Sequence, residues 1–222
     1  MHGTTDLHKG SNLINLRHLK PIPNRPLKYQ SLAHFALWNA RSISRNSTFI
    51  YELLLSREID ILAVTETWLN GDQRDDRVIA ELMNTLKVYD IYHVPHLGRS
   101  GGGVAIIAQK GFDIKILDDL RSFVSFEYLG AVVGIGNKHI RLVTVYRPPP
   151  LKKNNTSTSM FFDEFSLVLE ELTASTSPLL ICGDLNIHMD DGLNANTNNL
   201  SNHLKNVNSV KAFKFKLTKQ LL

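Results

Sequence analysis

Cysteine is almost absent from this chain: Cys182 is the only one in 222 residues. That excludes an internal disulfide framework and a zinc site made of cysteines alone, so the chain needs no oxidising compartment. Long hydrophobic runs are missing as well. The longest, such as Ile59 to Val64 and Val104 to Ala108, fall far short of the roughly 18 apolar residues of a membrane span. Polar Thr4, Asp6, His8 and Lys9 stand where a signal peptide would have its apolar core. An intracellular setting without a membrane is the expectation. Uniform positive charge is lacking too, despite the net +4. Residues 1–30 hold five Lys/Arg against one Asp, and residues 205–222 hold five Lys and no acid. Residues 31–204 are left with fifteen basic and twenty acidic residues, a net −5. A polyanionic partner would therefore meet a local patch and not a global field. What is present is ample apolar material, 43% of residues against 21% charged, enough for one globular domain with a substantial core.

Residues 1–30 place Pro21, Pro23 and Pro26 among Asn, Lys and Arg without an apolar period, the pattern of a basic, disordered leader. Leu32 to Trp38 reads as a strand buried on both faces, and Phe49, Ile50, Leu53 and Leu54 recur at helical spacing up to Arg57. Ile59 to Val64 forms a second buried strand, and Val78, Ile79, Leu82, Met83 and Leu86 mark a second helix. Runs at Val104–Ala108, Asp113–Leu117, Val124–Ile135 and His139–Tyr146 read as antiparallel strands. A third helix is expected over about Met160–Leu172, followed by a buried strand at Leu179–Cys182. Such βαβ units flanking a meander predict a two-sheet α/β sandwich with outer helices. The expected domain covers 31–191, and 192–222 reads as an Asn/Lys-rich unstructured tail. For both basic ends, solvated disorder is favoured over a DNA-binding arm.

Polar clusters follow four of the strands: Asn39 after Trp38, Glu66 after Thr65, Tyr146 with Arg147, and Asp184 with Asn186. Strand ends are rigid while the adjoining loops are free to carry chemistry. Singly, each cluster has a plain turn or strand-end reading; their joint order is the signal. The run Gly101-Gly102-Gly103 lacks the Lys-Ser/Thr of a phosphate-binding loop and leads into a strand, so it reads as structural. His93 and His96, without nearby carboxylate or cysteine partners in the sequence, read as ordinary loop residues. Cys182, on a buried strand, reads as a core thiol.

In order, Trp38-Asn39-Ala40-Arg41-Ser42, Thr65-Glu66-Thr67-Trp68-Leu69, Gly101-Gly102-Gly103-Val104-Ala105-Ile106, Val145-Tyr146-Arg147-Pro148-Pro149 and Gly183-Asp184-Leu185-Asn186 resemble the successive motifs of the endonuclease/exonuclease/phosphatase superfamily. The Asn-Ala-Arg-Ser, Thr-Glu-Thr-Trp-Leu and Tyr-Arg-Pro-Pro wordings resemble the apurinic-like endonuclease domain of non-LTR (LINE, jockey-like) retrotransposons. The resemblance covers about residues 32–191 and implies a DNase I-like sandwich that hydrolyses DNA phosphodiesters. It implies Mg²⁺, with Mn²⁺ as a substitute, held by Glu66 with Asn39 beside it. Asp184 would orient or activate water, Asn186 would donate to the phosphate region, and Tyr146 would hold the phosphate. Arg147 is expected at a DNA phosphate. In-line hydrolysis needs a hard cation to neutralise phosphate charge, and Mg²⁺ suits one or two carboxylates plus waters.

One family element is missing. The resemblance implies a terminal Ser-Asp-His motif, yet no Asp-His pair occurs anywhere in the chain. Ser201-Asn202-His203 resembles it only superficially; His188 and His203 are the fallback candidates. The expectation is a fold incomplete at its C-terminus, with little or no nuclease activity in this chain. Expected partners are DNA and, in a full-length element, a reverse transcriptase absent here; nuclear access follows from such a role. Alternatives are a repair-type nuclease or phosphatase of the same superfamily, and a non-catalytic retroelement relic.

Overall fold

The computed structural model describes residues 32–97, 101–117, 122–149 and 156–187, with 198, 199 and 202. The expectations for 1–30, for His188 and His203 and for most of 192–222 lie outside the described residues. Asn198, Asn199 and Asn202 are helical and exposed, where the sequence pattern predicts no regular structure.

The chain runs β1 (Phe35–Asn39), α1 (Ser47–Ser56), β2 (Ile61–Thr65), α2 (Gln73–Thr85), β3 (Tyr89–Val94), β4 (Val104–Gln109), β5 (Asp113–Ile116), β6 (Glu127–Ile135), β7 (Lys138–Tyr146), α3 (Thr158–Thr173) and β8 (Leu179–Asp184). Two four-stranded sheets result, ordered β1-β2-β4-β3 and β5-β6-β7-β8. Each contains one parallel pair, β1 with β2 and β7 with β8, and the remaining pairs are antiparallel. Parallel neighbours need a long crossover, which α1 and α3 supply.

Strand alternation builds three apolar layers. Ile61, Ala63, Val104, Ile106 and Ala108 of one sheet face Leu129, Ala131, Val133, Leu142 and Cys182 of the other. The alternate residues, Leu62, Val64, Ala105 and Ile107, pack outward against Ile50 and Leu54 of α1 and Leu82 of α2. On the far side, Phe161, Phe165, Val168 and Leu172 of α3 cover Val143, Val145, Leu179 and Ile181. Central strands buried on both faces read as unbroken apolar runs, which is the pattern of Ile61–Thr65 and Val104–Gln109. Emptying one such site, Leu62→Ala for example, costs about 2–5 kcal/mol.

Caps fix where the helices start. The Asp72 carboxylate accepts the Arg74 N–H at the head of α2, and the Ser157 hydroxyl accepts that of Met160 at the head of α3; such caps are each worth about 1 kcal/mol. Two sequence expectations need correction. His93 is a strand residue of β3, not a loop residue. The apolar stretch from Val124 becomes strand only at Glu127, because Phe123 and Phe126 instead form an aromatic cluster with Tyr128.

Candidate active site

Both parallel pairs end at one edge of the sandwich, and they end in register. Asn39 lies opposite Thr65 across β1 and β2, and Tyr146 lies opposite Asp184 across β7 and β8. Asn39 joins the two sheets: its amide Nδ2 donates to Glu66 Oε1 at 2.9 Å and to Asp184 Oδ2 at 3.0 Å, across 27 and 145 residues of chain. Tyr146 lies near enough for the Glu66 charge to act on its hydroxyl. The Asn186 backbone N–H donates to Asp184 Oδ1 at 3.1 Å, and Asn186 Nδ2 donates to the Arg147 carbonyl at 2.6 Å. The structure thus brings Asn39, Glu66, Tyr146, Asp184 and Asn186 into one contiguous network.

The loops that present these groups are held in costly conformations. Glu66, Trp68 and Asn186 have φ of 52°, 59° and 48°, a region that costs a non-glycine residue about 1–2 kcal/mol and persists only where neighbours over-determine it. Around Glu66 they do. Its carbonyl accepts the Ser42 N–H, that of Thr67 accepts Ile43, and Thr67 and Trp68 donate to the carbonyls of Gly103 and Gly102. Gly103 permits this approach, since a Cβ there would lie 2.2 Å from Thr67 Oγ1. The glycine run is therefore structural, packing backbone on backbone beneath Glu66.

Electrostatically the edge is acidic. The Tyr146 hydroxyl is raised well above its ordinary pKa, first by burial and then by the charges of Glu66, Glu127 and Asp184, so it stays protonated and able to donate. Among the described residues neither Glu66 nor Asp184 has a basic partner. No three His, Cys, Asp or Glu side chains there gather closely enough to cage a metal. Two carboxylates bridged by an amide, with excess negative potential, offer the hard oxygen donors that suit a cation retaining most of its waters.

Arg147 departs from its expected place at a DNA phosphate. It is 3% exposed, donates to Thr158 Oγ1 at 2.9 Å and the Leu185 carbonyl at 3.3 Å, and lies 4.8 Å from the centre of the Phe161 ring. The guanidinium joins α3 to the loop after β8. Cys182 is buried, and burial pushes its thiol up to about 12, which leaves it a core group.

Sequence reasoning missed Glu127. Its carboxylate accepts the Gly103 N–H at 2.8 Å and contacts His96 Nδ1, and β6 places it opposite Tyr146. His96 therefore has a carboxylate partner, 31 residues away in the chain, too far for local spacing to reveal.

A model of the Endonuclease/Exonuclease/phosphatase family matches residues 36–219, extending beyond residue 191, where the expected domain ends. No curated protein sequence matches the chain. Similar solved structures include an AP endonuclease from Leishmania major, with TM-score 0.59 and 17% identity over 87% of this chain and 73% of that one. An AP endonuclease from Archaeoglobus fulgidus has TM-score 0.56 and 17% identity over 78% and 70%. TDP2 of D. rerio, complexed with a single-strand DNA product, has TM-score 0.53 and 15% identity over 75% and 64%.

Proposed function

The chain belongs to the endonuclease/exonuclease/phosphatase family, and on that premise we propose that it cuts DNA phosphodiesters as the endonuclease domain of a non-LTR retrotransposon. The observation that carries the nuclease reading is the Asn39 amide bridging Glu66 and Asp184, which unites strand ends of both sheets. The wording of the motifs around Asn39, Glu66 and Tyr146 supports the retrotransposon subtype. AP endonucleases and TDP2 have similar folds, so a repair-type nuclease is the alternative within the family.

Glu66, with Asn39 beside it, would hold Mg²⁺ or Mn²⁺; the cation would neutralise charge on the scissile phosphate. Asp184 takes the proton of the attacking water as its oxygen bonds to phosphorus, and the bond to the leaving nucleoside oxygen breaks as that oxygen takes a proton from solvent. Asn39 keeps Asp184 and Glu66 at fixed separation. Tyr146, buried beside Glu66 and protonated, donates its one hydroxyl hydrogen toward the phosphate. One amide hydrogen of Asn186 is committed to Arg147, which leaves the second for a phosphate oxygen.

Nicking of supercoiled plasmid in Mg²⁺ tests this. The absence of any Asp-His pair predicts slow turnover, since one positioned acid or base contributes about 10² to 10⁴ in rate. Glu66→Ala and Asp184→Ala are each expected to abolish what nicking there is. Nicking indifferent to both substitutions overturns the site. DNA binding with no nicking supports the second reading, a non-catalytic retroelement relic, which the missing pair favours. Cutting confined to abasic sites removes the retrotransposon subtype and leaves the nuclease.

A further inference from the structure

Asn39 is one tie between the two sheets at the candidate site, and Glu127 is a second. Glu127 opens β6 directly opposite Tyr146, yet both of its carboxylate oxygens are engaged by loops of the other sheet. Oε2 accepts the N–H of Gly103, just ahead of β4, at 2.8 Å, and Oε1 meets Nδ1 of His96, two residues beyond β3. The carboxylate and the imidazole are 14% and 21% exposed. They close over Gly102, where a Cβ would stand 2.9 Å from His96 Cγ and 3.0 Å from Glu127 Oε2. The proposed hydrolysis gives this pair no task.

The backbone after Glu66 leans on the same cluster. Thr67 donates to the Gly103 carbonyl at 3.2 Å, Trp68 donates to the Gly102 carbonyl at 2.9 Å, and the Leu69 carbonyl accepts the His96 N–H at 2.9 Å. Two of these three partners, Gly103 and His96, are held together by the one carboxylate of Glu127. Glu66 itself has a φ of 52°, a conformation that persists only where its surroundings over-determine it. We propose that Glu127 is a positioning residue: with His96 it clamps the Gly102–Gly103 segment against the residues that follow Glu66, and so sets the Glu66 carboxylate to hold a divalent cation. This role rests on the nuclease reading and adds to it a residue that acts through hydrogen-bond reach and not through its charge.

The test sets reach against charge. Glu127→Gln removes the charge but keeps an oxygen for the Gly103 N–H, and its amide can donate to His96 Nδ1 in the other tautomer. Glu127→Asp keeps the charge but is one methylene shorter. Mn²⁺ binding to the full chain without DNA is read from the paramagnetic resonance signal of the free ion, with folding checked by circular dichroism. Glu127→Asp should bind about 10-fold more weakly than wild type, the lower end of the range for losing a group that orients a metal ligand, and Glu127→Gln should stay closer to wild type. Equal affinities in the two variants overturn the role, as does weaker binding in Glu127→Gln, the order expected if charge alone mattered. If Glu127→Asp does not fold, His96→Leu replaces it. That change leaves the Glu127 charge less compensated, so charge alone predicts tighter Mn²⁺ binding whereas the clamp predicts weaker; tighter or unchanged binding overturns the role. Glu66→Ala should abolish binding, and when it does, each of these negative results leaves the nuclease reading standing. A wild-type chain that binds no Mn²⁺, or binding indifferent to Glu66→Ala, overturns the cation site and the clamp together.

Discussion

A buried guanidinium must find its acceptors inside the protein, and Arg147 finds them in Thr158 and the Leu185 carbonyl while its face rests on Phe161. Arg147→Met keeps much of the bulk and removes those donors, so it should destabilise the fold by about 1–3 kcal/mol. A phosphate-binding arginine would behave otherwise, because its loss lowers the salt dependence of DNA affinity by about one unit of log–log slope. The expected result is a lower urea midpoint with an unchanged salt slope; a changed slope at unchanged stability would restore Arg147 to the DNA interface. His93 gives a second test. Its Nδ1 is buried without a partner, and burial draws its pKa below 6.5 against the opposing pull of Asp75 and Asp76. The unfolded chain then binds the proton first as pH falls, so stability declines once pH drops below about 6.5 and levels off only below the folded value. Urea midpoints at pH 7.5 and pH 5.5 should show a smaller difference in His93→Leu than in the wild-type chain. Equal differences would show that the decline has another origin.

Among the elements, β8 aims Asp184 through Gly183. At that glycine φ is 150°, and a Cβ would stand 1.8 Å from the Val145 carbonyl oxygen of the neighbouring strand. Gly183→Ala must push β8 away from β7, so we expect a cost of about 1–3 kcal/mol, the usual range for overpacking, together with loss of plasmid nicking through displacement of Asp184. Full nicking with native thermal stability would show that the strands can absorb the methyl group. The central strands and all three helices were legible in the sequence because they are buried on two faces or amphipathic. β3 was not, because as the outer strand of its sheet it mixes Asp90 and His93 with apolar residues, as edge strands do. The motif residues of the site were legible one by one, but the Asn39 bridge, the Glu127–His96 pair and the left-handed Glu66 arise from contacts between distant segments. Local spacing cannot show these.

At the scale of the whole molecule, charge is divided unevenly. Residues 31–204 carry a net −5, whereas 1–30 and 205–222 together carry +9. The candidate site concentrates part of that acidity in Glu66, Glu127 and Asp184, so a DNA phosphate arriving there meets repulsion unless a cation or lysines offset it. Non-specific DNA affinity comes largely from counterions released as Lys and Arg neutralise phosphates, with a log–log salt slope of about −0.9 per phosphate on duplex DNA. If the attraction arises from the C-terminal segment, replacing Lys205, Lys211, Lys214, Lys216 and Lys219 by Gln should flatten that slope by up to about 4.5 and weaken binding of any sequence alike. Anisotropy titrations of one duplex between 50 and 200 mM salt at constant Mg²⁺ would measure it. None of the five lysines belongs to the sequence motifs that carry Asn39, Glu66 and Asp184, so slow nicking at saturating DNA should persist. An unchanged slope would place the phosphate contacts on basic residues of the sandwich itself, and Arg41 and Arg45, both exposed in the loop between β1 and α1, would be the next to substitute.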